Sequence, residues 1–169
     1  MLCLKRIKGF TFIELIVVIA LISIMLFFAI PKFQGNFLSN STKAVSRWIL
    51  INIPNLKAKA QKEQKRYILN VDLDANKLWI SREITAGETL QSKEINSYQL
   101  PNDIKLLDVE FPDQETISAG QAKIYFDEKG YSDKAIIHIQ NEENKRLSFV
   151  IETFLPRVRL YEKYVGFSE

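Results

Sequence analysis

The chain has 169 residues, with 23 Lys+Arg against 20 Asp+Glu and a single cysteine. Lys5, Arg6 and Lys8 lie in the first nine residues with no acid beside them and account for the whole excess of +3, so residues 10–169 carry 20 charges of each sign. That neutrality argues against a general nucleic-acid binder, which needs surplus cations to displace phosphate counterions, and the lone Cys3 excludes a disulfide framework.

The basic start ends at Gly9, and an almost unbroken apolar run extends from Phe10 to Ile30. Cations before such a run fit the positive-inside rule and hold the start in the cytoplasm. A run of about 21 residues matches a full bilayer span. A conventional secretory signal would carry a small-residue cleavage site after its apolar core, and no Ala-x-Ala follows here. The run contains one carboxylate, Glu14. An ionisable group in a membrane segment costs roughly 2.5–3.5 kcal/mol on insertion scales, so Glu14 asks for a cation inside the membrane. A plain signal anchor gains nothing from it. Phe10 to about Gln34 is expected to be helix, kinked at Pro31, because proline removes a backbone donor and clashes one turn back.

Val45, Trp48, Ile49, Ile53, Leu56 and Ala60 recur at three- and four-residue steps, the stripe of an amphipathic helix with one face on a core. The stripe continues past Pro54, so that proline is expected to kink the helix rather than end it. Lys57, Lys59, Lys62, Lys65 and Arg66 crowd its second half, where cations suit the helix dipole and read as a solvated face.

From Tyr67 the pattern changes to short runs rich in β-branched and aromatic residues. Strands are expected at 67–72, 77–81, 104–111, 123–127, 134–140, 147–154 and 158–164, joined by turns at 74–76, 128–130 and 141–144. Short turns between consecutive strands predict an antiparallel meander. Residues 85–97 are polar and read as a variable loop or irregular edge. The expected fold class is α+β, a long N-terminal helix packed by its second half on an antiparallel sheet or small sandwich.

Few residues suggest chemistry. Asp72, Asp74, Asn76 and Glu83 fall at calcium-loop spacing, but Lys77 occupies the position that needs glycine, so a hairpin turn explains the cluster better. His138 is the only histidine and alternates with Ile137 and Ile139, which puts it on the polar face of a strand; without a second histidine or a later cysteine, zinc has no ligand set. Ser132, His138 and an aspartate could be drawn as a triad, but no Gly-x-Ser-x-Gly elbow surrounds the serine. There is no Walker loop or dinucleotide fingerprint. No cofactor, metal or enzymatic activity is expected. Trp48 and Trp79 read as core; Tyr161, Tyr164 and Phe167 could dock on a partner, but read better as a last strand closing the sheet.

Gly9, Phe10, Thr11, Glu14, the apolar run and Ala29-Ile30-Pro31-Lys32-Phe33 together resemble the type IV prepilin signature of pilins and type II secretion pseudopilins. The resemblance implies cleavage by a membrane peptidase between Gly9 and Phe10 and N-methylation of Phe10. Glu14 becomes position five of the mature chain and pairs in assembly with the Phe10 amine of a neighbour. The stretches 67–72, 77–80, 100–104, 124–132 and 135–139 resemble the minor pseudopilin H class, although Leu155-Pro156-Arg157-Val158 lacks the glycine usual before the last strand. This resemblance implies a structural subunit of a periplasmic pseudopilus. The expected segments are a cleaved leader 1–9, a transmembrane helix half 10–33, an amphipathic half 34–66 and an antiparallel β domain 67–169. The expected partners are the prepilin peptidase, other major and minor pseudopilins or pilins, the inner-membrane assembly platform and membrane lipid, with no nucleic acid. The expected location is the bacterial inner membrane, with the leader cytoplasmic and the domain periplasmic. Two other readings stay open: a minor pilin of a type IV pilus or DNA-uptake filament, and a ligand-binding ectodomain on a plain anchor.

Overall fold

A computed structural model describes residues 11–34, 40–83 and 94–167, with side chains in the first helix described as far as Met25. The chain divides into two units, residues 1–38 and 39–169.

The first unit is helix α1, Phe12–Gln34. Its side chains from Phe12 to Met25 are apolar on every side except Glu14 and Ser23, and all are exposed, Phe12 at 78% and Met25 at 72%. A helix apolar all round gains nothing from water and needs an apolar phase or other helices about it. Among the described residues no helix is long and apolar enough to cross a membrane. At 1.5 Å per residue, side chains 11–25 cover about 22 Å, short of a ~30 Å core. The rest of the expected span, 26–33, has no described side chains. Pro31 lies within α1.

The second unit begins with α2, Asn40–Glu63, which runs through Pro54 without ending. The predicted stripe is buried at Val45, Ile49, Ile53, Leu56 and Ala60, while Trp48 is half-buried and stacks on Tyr98 at 5.6 Å. The helix stops three residues earlier than the expected 66. Gln64 adopts φ 52°, and the Lys65 amide reaches back to the Ala60 carbonyl at 3.2 Å. That is the bond of a Schellman stop with glutamine in the left-handed position. Glycine is the usual sequence signal for this stop, and it is missing here.

Eight strands follow: β1 Tyr67–Asp72, β2 Lys77–Arg82, β3 Asn96–Gln99, β4 Ile104–Glu110, β5 Gln121–Phe126, β6 Ala135–Asn141, β7 Arg146–Ile151 and β8 Arg159–Tyr161. They form two four-stranded antiparallel sheets, β3-β2-β1-β5 and β4-β6-β7-β8. The α+β class stands, but the simple meander does not. After β4 joins the second sheet, the chain returns to place β5 beside β1, then crosses again to β6. The connections 111–120 and 127–134 are long enough for these changes of sheet, whereas the meander assumed tight turns. Of the stretch 85–97, expected to be a variable loop or irregular edge, residues 96 and 97 open the edge strand β3 and pair with Ile80 and Trp79. This edge strand is mostly exposed, so backbone pairing forms it without the apolar alternation that announces a strand.

The turn between β1 and β2 ties the sheets together. The Asp72 carboxylate accepts from the Ala75 amide at 2.7 Å and the Gln121 amide at 2.9 Å. The Asp74 carboxylate accepts from the Gly120 amide at 3.1 Å. Asn76 donates to the Ile104 carbonyl at 2.6 Å and accepts from the Leu106 amide at 2.8 Å, reaching β4 of the other sheet. The oxygens at calcium-loop spacing thus serve the chain itself.

In the second sheet, β6 and β7 are buried on both faces. Ile137, Ile139, Leu147, Phe149 and Ile151 fill the core face. The other face needs a cover, and residues 162–167 supply it.

Candidate functional site

The N-terminal signature is local. Gly9 and Phe10 lie outside the described residues. Thr11 precedes the first turn of α1, and its hydroxyl accepts from the Glu14 amide at 3.3 Å. The Glu14 carboxylate answers at 3.5 Å from the Thr11 amide, and the Thr11 carbonyl accepts from the Leu15 amide at 3.2 Å. This is a capping box, Thr-x-x-Glu, in which two orphan donors of a helix start find acceptors. Sequence reasoning read Glu14 only as a partner for a foreign cation. The spacing Thr11-Phe12-Ile13-Glu14 also announces the cap.

Lys57 was counted among the solvated cations of α2, and the structure overturns that: it is buried. Its ammonium donates to the carbonyls of Glu152, Thr153 and Leu155, at 2.5, 3.2 and 2.8 Å. Three N–H groups meet three acceptors, which is full satisfaction for a lysine. Burial still holds its pKa below the ordinary 10.5, opposed in part by the charge of Glu152. The clamp fixes the loop after β7, whose Phe154 and Leu155 stay 75% and 49% exposed. Tyr131 meets the Phe154 ring edge-on at 5.0 Å. Tyr131 follows Gly130, whose φ of +83° would strain any other residue and where a Cβ would lie a tight 3.2 Å from the Lys57 carbonyl.

His138 does lie on the face opposite the core, as its alternation implied, but that face is sealed. The ring is 0% exposed. Its Nδ1 is 2.6 Å from the Asp108 carboxylate and its Nε2 is 3.0 Å from the Val165 carbonyl. The Val165 carbonyl can only accept, so Nε2 carries a hydrogen toward it, and Nδ1 pairs with the Asp108 carboxylate. Tyr164 stacks on the ring at 3.9 Å and donates to Asp108 at 3.3 Å. Burial, then the Asp108 charge, pushes the Tyr164 phenol upward. One strand away, the Ser148 hydroxyl donates to the Lys163 carbonyl at 2.7 Å and accepts from the Val165 amide at 3.1 Å. The Phe167 amide donates to Glu110 at 3.1 Å. Residues 162–167 therefore strap the sheet from β7 across β6 to β4. The expected last strand 158–164 is present but shorter, as β8: the chain leaves the sheet after Tyr161 because the next residues bond over β7 rather than beside it.

Ser132 and His138 do not form a triad. The serine hydroxyl faces the Glu152 carbonyl at 3.5 Å, and neither histidine nitrogen meets a serine. Among the described residues no cluster of His, Cys, Asp or Glu could hold a metal ion.

After a basic start, an apolar helix opens on a Thr-x-x-Glu cap, and the second unit sets α2 with two antiparallel sheets. Residues 4–30 match the family described as the prokaryotic N-terminal methylation motif. The fold is shared with the minor pseudopilin EpsH of the type 2 secretion system of Vibrio cholerae, in two solved structures. One aligns at TM-score 0.56 and 14% identity over 71% of this chain and 95% of that one. The other aligns at 0.53 and 14% over 75% and 97%. A search of the curated proteins found no sequence match.

Proposed function

We propose that this chain is a minor pseudopilin, a structural subunit of the pseudopilus of a type II protein secretion system. One observation carries the reading: the methylation motif at residues 4–30 precedes a domain with the fold of a minor pseudopilin. A plain anchored ectodomain would need neither the motif nor Glu14.

In this reading residues 1–9 stay in the cytoplasm, residues 10–33 insert in the inner membrane, and the domain lies in the periplasm. A prepilin peptidase cleaves after Gly9 and methylates the Phe10 amine. Alone, that ammonium sits at the unfavourable positive end of a helix dipole. In a bundle it meets Glu14 of a neighbouring subunit, and Glu14 gives up the Thr11 cap for an ion pair. Breaking such a pair in an apolar phase costs about 3–5 kcal/mol, so the pairing sets the register of adjacent helices. The subunit itself performs no catalysis; it presents surfaces to other pseudopilins and to the assembly platform.

Deleting the gene tests this directly, with exoprotein release and surface pili scored in parallel. Lost release with normal pili is expected. Lost pili with normal release would instead make the chain a minor pilin, and neither defect would return it to the anchored-ectodomain class.

A further inference from the structure

The strap on the second sheet leaves a groove beside it, with a volume of about 390 Å³. Ile136 and Val150, a cross-strand pair of β6 and β7, make an apolar floor. The strap, at residues 165–167, forms one wall, and a Cβ on Gly166 would lie 3.2 Å from the Glu110 carboxylate. Three cations reach the groove, Lys134, Arg159 and Lys163, against one carboxylate, Glu152. Glu152 already binds Arg159 at 2.5 Å and lies 3.8 Å from Lys134. Lys163 has no ion-pair partner among the described residues. In a mature chain whose charges otherwise cancel, this is a local positive surplus.

The groove also borders an open sheet edge. β4 and β5 each carry an extra bridge, to Ile117 and Ser132, that partly covers their outer sides. Among the described residues β8 pairs only with β7. An uncovered edge is a template for another strand. An extended segment at this edge places every second side chain on one face, so it can set an apolar group toward Ile136 and Val150 and a carboxylate near Lys163. A free phosphate would use the cations but gain nothing from the floor.

Resting on the pseudopilin reading, we propose that this groove and the β8 edge receive an extended acidic segment from the globular domain of a neighbouring filament subunit. The occupant carries an apolar residue and an Asp or Glu two positions apart.

The test places a photoreactive phenylalanine analogue at Tyr161 of the full chain, in cells making the complete set of filament subunits, with Lys105 on β4 as the control position. The expected result is an adduct at position 161 with another prepilin-class subunit, whose captured peptide contains Asp or Glu. Lys163→Glu is expected to reduce it at least tenfold, and Lys163→Arg to preserve it. An adduct to lipid alone, no subunit adduct, equal capture at Lys105, or indifference to Lys163→Glu would each overturn the proposal. Leader cleavage is followed in the same cells. Cleaved, secretion-competent protein without the adduct defeats only the groove, whereas uncleaved wild-type protein defeats the functional reading itself.

Discussion

Glu14 on α1 and Lys57 on α2 are both ionisable groups set on apolar helix faces, and they are satisfied in opposite ways. Lys57 finds three carbonyls of its own chain, all supplied by one loop almost a hundred residues later. Among the described residues the Glu14 carboxylate finds only the backbone amide of Thr11, three residues back, while the apolar side chains around it stay exposed. A charge satisfied within the chain stabilises the fold. In the proposed pseudopilin reading, a charge left with a weak local cap, on a helix whose described side chains are all exposed, directs association. The two residues therefore separate folding from assembly, and mutations at each are expected to fail in different assays.

The largest expected effect removes the cation intended for Glu14. Gly9→Val is expected to block cleavage, leaving a chain heavier by the leader and without the methyl group, as read by intact mass. Secretion is expected to be lost. If this variant is still trimmed at Phe10, the cleavage assignment is wrong. Glu14→Ala comes next. It is expected to be cleaved normally and to leave the domain's stability within about 0.5 kcal/mol of wild type. Losing a pair worth about 3–5 kcal/mol is expected to reduce incorporation by on the order of a hundredfold or more. Thr11→Ala sharpens the point, since it removes the cap, worth about 1 kcal/mol, and keeps the carboxylate. Equal assembly defects in the two variants would mean that the cap, and not an ion pair, is what assembly needs.

Lys57→Met reverses the pattern. Three carbonyls lose their donor, and the loop bearing Phe154 loosens. A loss of about 2–4 kcal/mol is expected in denaturant unfolding of the cleaved chain. Hydrogen exchange is expected to rise first at residues 152–155, with leader cleavage unchanged. A variant as stable as wild type would show that the clamp contributes nothing net.

The same contrast decides what was legible in the sequence. The Gly9–Glu14 signature and the alternation of β1, β2 and β6 are local, and a single pass along the chain finds them. β1 appears with the bounds expected of it. What depends on residues meeting from far apart was misread. Lys57 looked like any solvated lysine because its acceptors are backbone carbonyls, which no residue type announces. The alternation put His138 on the right face, but its cover was hidden, because that cover is a strap 27 residues later, held by Ser148 and Asp108 through bonds that leave no spacing pattern. The return of β5 to β1 was equally hidden: periodicity identifies a strand but not its neighbour. The early stop of α2 escaped because glutamine, not glycine, takes the left-handed position.

The smallest expected effect lies where α2 hands over to β1. Tyr67 donates to the carboxylate of Glu63, the last residue of α2. Burial first, and then that carboxylate, raises the phenol from its ordinary 10 to about 12. The hydrogen bond from Tyr67 lowers Glu63 below its ordinary 4.5. A raised folded-state pKa gives stability that is fully present below pH 10 and is lost as pH climbs toward 12. A depressed one gives stability that is present above 4.5 and lost as pH falls. One contact therefore contributes at both ends of the stability profile. Tyr67→Phe removes both contributions, so the wild-type advantage is expected to hold across the neutral range and to shrink above pH 10 and below pH 4.5. Urea midpoints of the two proteins, measured side by side from pH 3 to 12, cancel the titration of the other lysines and carboxylates. A difference that stays flat across that range would mean the phenol and the carboxylate act through packing alone, and that this junction, unlike Lys57, draws nothing from its charge.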